Sequence, residues 1–225
     1  MTAQLTFNLP VRPAMGAEDF IVTSSNQEAV ALLDKWSDWP ARTLVLTGAA
    51  GSGKTHLAQV WAQRSGASLV ACQALPEQLE SLLQQKAVIV DDGDGLFGNA
   101  AGEQALFHLY NHIQQTGHLL FISAIPPGQA TITLPDLRSR LRAAPLLTLQ
   151  PPDDALLAAL LVKHFSDRQL RVGQDVVDYL LSRIERSASA AAAAVAALDA
   201  AALARRSAIT VPLARTVLEL QSKLL

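Results

Sequence analysis

The segment Gly48-Ala49-Ala50-Gly51-Ser52-Gly53-Lys54-Thr55 fits the pattern G-x-x-x-x-G-K-[ST] at every position. It constrains the fold more than any other feature, because the pattern works only between a buried strand and a helix. The glycines let backbone N–H groups turn inward around a phosphate, and the following helix adds partial positive charge at its N-terminus. Gly48, Gly51, Ser52 and Gly53 are therefore read as a phosphate cradle. Lys54 reaches the β- and γ-phosphates, and Thr55 holds Mg²⁺. A chance glycine-rich turn would lack the flanking strand and helix, and both are legible here.

Short apolar runs at Thr43–Thr47, Ser68–Cys72, Ala87–Val90, Leu119–Ser123 and Leu146–Leu149 read as buried strands. Helical stretches, Lys54–Arg64 and Glu103–Thr116, lie between them, the second with Leu106, Phe107, Leu109, Tyr110 and Ile113 at helical spacing. Strand alternating with helix predicts a five-stranded parallel sheet covered on both faces. Pro10 and Pro13 interrupt residues 1–15, which read as a tail outside the core. After Pro151-Pro152 no strand pattern remains. Helices are expected from Asp153 or Asp154, at Gln174–Ile184, at Ala188–Arg205 and at Val211–Gln221. The first of these carries Leu156, Leu157, Leu160, Leu161, His164 and Phe165 on one stripe. The expected organisation is a tail at 1–15, an α/β nucleotide-binding unit at 16–150 and an all-helical subdomain at 151–225.

Composition excludes several classes. Lys and Arg total 18 against 20 Asp and Glu, a net charge of −2, so nucleic acid is not bound by bulk charge. No apolar run reaches the roughly 18 residues of a spanning helix, and no secretory leader pattern opens the chain. A soluble cytoplasmic protein without membrane attachment is expected. The single cysteine, Cys72, allows no internal disulfide and reads as a buried small hydrophobe. Trp36, Trp39 and Trp61 read as packing residues. His108, His112 and His118 lack a cysteine partner and a ligand spacing, so no zinc site is expected.

Val88-Ile89-Val90-Asp91-Asp92 is an apolar strand ending in two carboxylates. After a phosphate loop, Asp91 is placed to hold Mg²⁺ and Asp92 to polarise an attacking water. The plainer reading is an acidic turn, since Asp94 follows. Arg138, Arg140 and Arg142 alternate, and from the residues alone a solvated basic edge and a phosphate-reaching fork weigh equally. Gln4-Leu5-Thr6-Phe7-Asn8-Leu9 can seat Leu5, Phe7 and Leu9 in an apolar groove with Gln4 at its edge, or cap the core as an edge strand.

Taken together these stretches resemble the Hda family of DnaA-related AAA+ proteins, in its shorter form, over nearly the whole chain. Asp19-Phe20-Ile21-Val22 and Ser25-Asn26 are similar to the segment that packs on adenine, which implies Phe20, Val22 and Asn26 at the base. Gln104-Ala105-Leu106-Phe107-His108-Leu109-Tyr110-Asn111 and Pro126-Pro127 resemble the helix before the fourth strand and the turn after it. Leu137-Arg138-Ser139-Arg140-Leu141 resembles the box VII stretch, which implies Arg140 as an arginine finger acting in trans. Glu185-Arg186-Ser187 resembles the second sensor, which implies Arg186 at the phosphates. Gln4 to Leu9 resembles the clamp-binding peptide, which implies Gln4, Leu5, Phe7 and Leu9 as clamp contacts. The phosphate loop is specific to the superfamily only; box VII and the N-terminal segments narrow it.

The resemblance implies an AAA+ P-loop core with a helical lid, holding ADP or ATP with Mg²⁺. Its implied partners are the DnaA initiator and the DNA polymerase III sliding clamp (beta subunit), with DNA reached only through the clamp and self-association left open. The implied function is to stimulate hydrolysis of DnaA-bound ATP and so prevent re-initiation. Departures bear on the chemistry. The first-sensor position is Ala124, with Ser123 beside it, which argues for weak or no intrinsic ATPase activity. The segment before Val88 is short, and no basic helical stretch follows the lid, both unlike initiators. The competing expectations are a self-acting AAA+ ATPase such as a helicase loader, a small-molecule kinase with the three arginines as a clamp, and an adaptor whose nucleotide only stabilises the fold.

Overall fold

The computed structural model describes residues 21–39 and 42–221; Gln4, Leu5, Phe7, Leu9 and Phe20 lie outside them. The α/β part runs α1 (Gln27–Asp34), β1 (Thr43–Gly48), α2 (Lys54–Ser65), β2 (Ser68–Ala71), α3 (Leu75–Leu82), β3 (Ala87–Asp91), α4 (Ala100–Thr116), β4 (His118–Ser123), α5 (Pro135–Ala143) and β5 (Leu146–Leu149). The five strands form one sheet in the order β2-β3-β4-β1-β5, with every pair parallel.

Alternate residues of the central strands feed opposite faces, as a period of two requires. Val45, Val88, Val90, Leu119 and Phe121 pack under α3, α4 and α5, against Leu75, Leu106, Leu109 and Leu137. Leu44, Leu46, Ile89, Leu120 and Ile122 face the other side, against Trp39, Leu57 and Trp61. Burial on both faces explains the continuous apolar runs, each buried large side chain contributing about 1.5–3 kcal/mol.

The strands lie where their apolar runs predict, with β1, β3 and β4 each one residue longer, to Gly48, to Asp91 and from His118; β2 stops at Ala71, and Cys72 opens a 3₁₀ turn, 1% exposed. Three helices had no clear sequence signal. In α3, Pro76 sits in the first turn and Leu75, Leu79 and Leu82 turn to the core. In α5, Pro135 occupies the first turn, with Leu137 and Leu141 buried four apart. In α1, Ala29, Val30 and Leu33 are buried. Helix α4 begins earlier than its apolar pattern, because the Asn99 side chain accepts from Gly102 N at 3.1 Å.

Helices α6 (Asp154–Asp167), α7 (Gln174–Leu181), α8 (Ala188–Arg205) and α9 (Val211–Gln221) follow, with no further strand among the described residues. Asp153 caps α6 and Ser187 caps α8, each through a side chain accepting a first-turn N–H. Leu157, Leu161, Phe165, Val177, Leu180, Val195 and Leu198 form a separate core. Helix α7 ends short of the expected Ile184, which still packs on that core from the following turn. At 18 residues and mean hydropathy 1.4, α8 is long and apolar enough to cross a membrane by length and composition alone, although Asp199 and Arg205 interrupt its apolar run. Its Ala191, Val195 and Leu198 are buried within the helical bundle.

Below the sheet the tryptophans form one cluster. Trp39 stacks on Trp61 at 5.4 Å between centroids, and Trp36 meets His118 edge-on at 4.8 Å. The His118 Nε2 atom is buried without a hydrogen-bond partner. Burial, then the Arg42 charge, pushes its pKa below the ordinary 6.5, despite a hydrogen bond at the Ser37 backbone. His164 is pushed the same way, by burial and then Arg168. Near and below that ordinary value the unfolded chain binds more protons than the folded one, so stability falls as pH drops. Denaturant midpoints followed by tryptophan fluorescence should decline between about pH 7.5 and about pH 5.5, and His118→Gln should flatten the decline. A midpoint that rises on acidification contradicts this assignment.

Candidate functional site

Parallel pairing carries the polar ends of the central strands to one edge. Thr47 pairs with Ser123 and Val90 with Phe121, so the loop after β1, the acidic end of β3 and the end of β4 are neighbours. Ligand crevices of open α/β sheets form at this carboxyl edge.

The loop is shaped by backbone. Gly51 has φ 71° and Gly53, the N-cap of α2, φ 99°, and no side chain caps that helix. Its first-turn N–H groups therefore suit an anion. The Lys54 ammonium donates to Gly48 O at 2.8 Å and Ala49 O at 2.9 Å, so it arches back across the loop. Ser52 is 7% exposed, and its hydroxyl is buried without a partner. Thr55 is exposed on the same turn. An anion here would meet an ammonium, a hydroxyl and backbone donors together.

Asp91 is half-buried, and its carboxylate accepts from Asp92 N at 2.9 Å. Asp92 is exposed, with φ 51°. Gly93 lets the chain pass over β4: a Cβ there would lie 2.2 Å from the Phe121 ring. Asp94, a plain turn residue by sequence, accepts from Ala124 N at 2.8 Å and so braces the turn after β4. The hydroxyl of fully buried Ser123 donates to Ile125 O at 2.6 Å and accepts from Ile125 N at 3.2 Å, so it is committed to the turn. Among the described residues no group of three or more His, Cys, Asp or Glu could hold a metal ion by itself.

The helical part closes over the loop. Ala188 N, at the start of α8, donates to Gly51 O at 2.9 Å. A Cβ on Gly51 would stand 2.6 Å from Ser189 Oγ and 2.7 Å from Ser187 Cβ, so this approach needs glycine. Arg186 pairs with Asp154 at 2.7 Å, its side chain 54% exposed and that of Asp154 68% exposed. It therefore sits against the start of α6 rather than in the loop. An exposed pair of this kind contributes about 0–1 kcal/mol, so a phosphate can compete for Arg186.

Between loop and helices lies a mostly apolar cavity of about 320 Å³. Ile21, Asn26, Ser52, Gly53, His56, Leu149 and Pro152 line one side, and Leu156, Leu160, Lys163, His164, Ala188 and Ala192 the other. This corrects one expectation: Ile21 faces the cavity, while Val22 packs against the core under α1 and α2. Asn26 lines the cavity, but its amide is occupied, accepting from Thr23 N at 2.8 Å and donating to Ile21 O at 2.9 Å. It fixes the path of the segment. His56, Lys163 and His164 carried no functional signal in the sequence beyond a histidine on the apolar stripe of α6. Asp153 fastens the segment to the helical part, accepting from Leu156 N at 2.7 Å and from the Ser24 hydroxyl at 2.8 Å. Burial opposes its charge, yet these donors hold the carboxyl below its ordinary value.

Arg140 is at the other end of the sheet. It lies in the last turn of α5, and Ala144 N donates to its carbonyl just before β5. The adjoining Pro145 carbonyl accepts from Val45 N, early in β1, whereas the phosphate loop follows the end of β1. The exposed guanidinium rests over the Phe107 ring at 5.1 Å and the Tyr110 ring at 5.7 Å. The structure thus gathers Lys54, Thr55, Asp91 and Asp92 at one edge and leaves Arg140 away from them.

Comparison with known proteins agrees with this layout. Residues 153–218 match the family model described as the Hda lid domain. Domain III of the Thermotoga maritima replication initiation protein DnaA has the same fold, with TM-score 0.78, 18% identity, and coverage of 93% of this chain and 98% of that one. AMPPCP-bound DnaA from Aquifex aeolicus gives TM-score 0.69 at 18% identity, covering 84% of this chain. This chain spans 66% of the length of that one. The Thermotoga maritima RuvB Holliday junction branch migration motor gives TM-score 0.66 at 16% identity, over 86% of this chain and 69% of that one. The helical part thus matches the Hda lid domain, and the α/β part shares the fold of these DnaA and RuvB structures.

Gly51→Ala forces a left-handed backbone on a residue with a Cβ and presses it against Ser187 and Ser189. It should cost about 1–3 kcal/mol in denaturant unfolding. An unchanged midpoint would show that the lid does not rest on the loop as described.

Proposed function

Taking the chain as a Hda/DnaA-related AAA+ protein, we propose that it is a cytoplasmic regulator of replication initiation that binds ADP or ATP and acts on nucleotide held by DnaA. The observation that carries this reading is the placement of Arg140. An exposed, permanently charged fork at the opposite end of the sheet from its own loop is suited to a phosphate in another chain rather than its own.

In this reading the base and ribose occupy the cavity beside Ile21 and Asn26, and Phe20, outside the described residues, is kept as a proposed contact of the base. The loop N–H groups, Ser52 and Lys54 bind the phosphates, Lys54 exchanging its loop carbonyls for them. Arg186 leaves Asp154 for the same phosphates. Mg²⁺, held by Thr55 and Asp91, would neutralise phosphate charge. Asp92 is the candidate for orienting water, but the turn that ties Ala124 to Asp94 and closes Ser123 on Ile125 leaves no polar first-sensor side chain there. That favours retention of the bound nucleotide over turnover, and weighs against a self-acting ATPase. The Hda-type lid accounts for the helices that a small-molecule kinase would leave unexplained.

Stacked on Phe107 and Tyr110, Arg140 is presented at the surface, and we assign it as the finger supplied to ATP on DnaA. Replacing Arg140 by Ala should lower stimulated hydrolysis of DnaA-bound ATP by about 10³-fold or more, with thermal stabilisation by ADP unchanged. Stimulation that survives the substitution removes the central assignment.

Gln4, Leu5, Phe7 and Leu9 are proposed to tether the protein to the sliding clamp, so that DNA is reached through the clamp. A Gln4→Ala/Leu5→Ala variant should lose clamp capture in a pull-down and retain its ADP shift. Equal capture by variant and unmodified protein would dismiss the tether.

A further inference from the structure

The carboxylate of Glu103 is 1% exposed, carries no part of the nucleotide site and gathers four donors. Gly98 N and Thr133 N donate to Oε1 at 2.8 and 2.9 Å, and the Thr133 hydroxyl and Leu134 N to Oε2, both at 2.6 Å. Burial opposes its ionisation, and the donors, led by Thr133, hold it ionised below the ordinary carboxylate range. Leu134 is the N-cap of α5, which has no side-chain cap of its own. Glu103 therefore satisfies the N–H of the N-cap residue itself, as the glutamate of a capping box does but from another helix, and its negative charge faces the N-terminus of α5.

On α4, Glu103, Phe107 and Tyr110 are spaced four and three residues apart, so they share one stripe. One end of the stripe holds the start of α5 through Glu103. The other supports Arg140, in the last turn of α5, through two rings. We propose that Glu103 is a positioning residue for Arg140: a buried acceptor that fixes where α5 starts, and so where the guanidinium is presented. The proposal rests on the assignment of Arg140 to a phosphate of another chain.

Two readouts on Glu103→Gln test it. The isosteric amide puts an NH₂ group among donors and cannot accept from all four. Hydrogen–deuterium exchange should rise about tenfold in α5 and stay unchanged in β1 and β3. Maximal stimulated hydrolysis of DnaA-bound ATP should fall about tenfold, with less than about a twofold change in the concentration for half-stimulation and in ADP affinity. Thr133→Val, which removes one exposed donor, should give a smaller change of the same pattern, and decides the matter if the glutamine variant does not fold. Exchange that rises throughout the sheet, or full stimulation by a folded variant, overturns the proposal. If the unmodified protein does not stimulate hydrolysis, the functional reading fails, while the exchange pattern still decides whether Glu103 places α5.

Discussion

Parallel pairing of β3, β4 and β1 is the constraint on which the remaining structure depends. A parallel sheet has two chemically different edges, because every strand ends on the same side. At one edge Gly48, Asp91 and Ser123 end their strands together, and the glycine-rich loop, the acidic turn and the turn after β4 are neighbours. Helix α5 must run back from that edge to deliver the chain to the start of β5. A residue in its last turn, such as Arg140, is thereby carried away from that edge. The separation of binding loop and candidate finger follows from connectivity before any side chain is considered.

The lid depends on the same edge. Pro151 and Pro152 end the sheet contribution, and Asp153 turns the chain into α6 while holding Ser24 of the N-terminal segment. A second tether joins Ala188 to Gly51. Helices with their own apolar core are thus fastened at two points, one between side chains and one between backbones, around an apolar cavity. A ligand bridging loop and lid would add contacts on both sides and stabilise the closed arrangement by mass action.

Much of this was legible in the residues. The loop motif announced itself, and strands buried on both faces read as unbroken apolar runs at Val88 to Val90 and Leu119 to Ile122. The lid was marked by a capping aspartate at Asp153 or Asp154 and by stripes such as Leu157, Leu161 and Phe165, whereas the Ser187 cap of α8 emerged from the structure. Helices α3 and α5 were hidden because each turns only two or three leucines to the core, too short a pattern to show a period. Val22 was expected at the base from the resemblance of its segment to an adenine-packing one, but Asn26, bonded to Thr23 and Ile21, sets the turn of the segment and brings Ile21 to the cavity. The roles of Asp94 and Glu103 depend on partners about thirty residues away, Ala124, Thr133 and Leu134, which no local pattern reveals.

The central claim is that this chain acts on nucleotide bound to another. It is tested most directly by loading DnaA with labelled ATP, removing free nucleotide, and adding this protein carrying unlabelled nucleotide in a single-turnover experiment with clamp on DNA. The account predicts labelled ADP on DnaA, formed at a rate that climbs with the concentration of this protein. Label that stays as ATP on DnaA, while this protein turns over its own nucleotide, would contradict it.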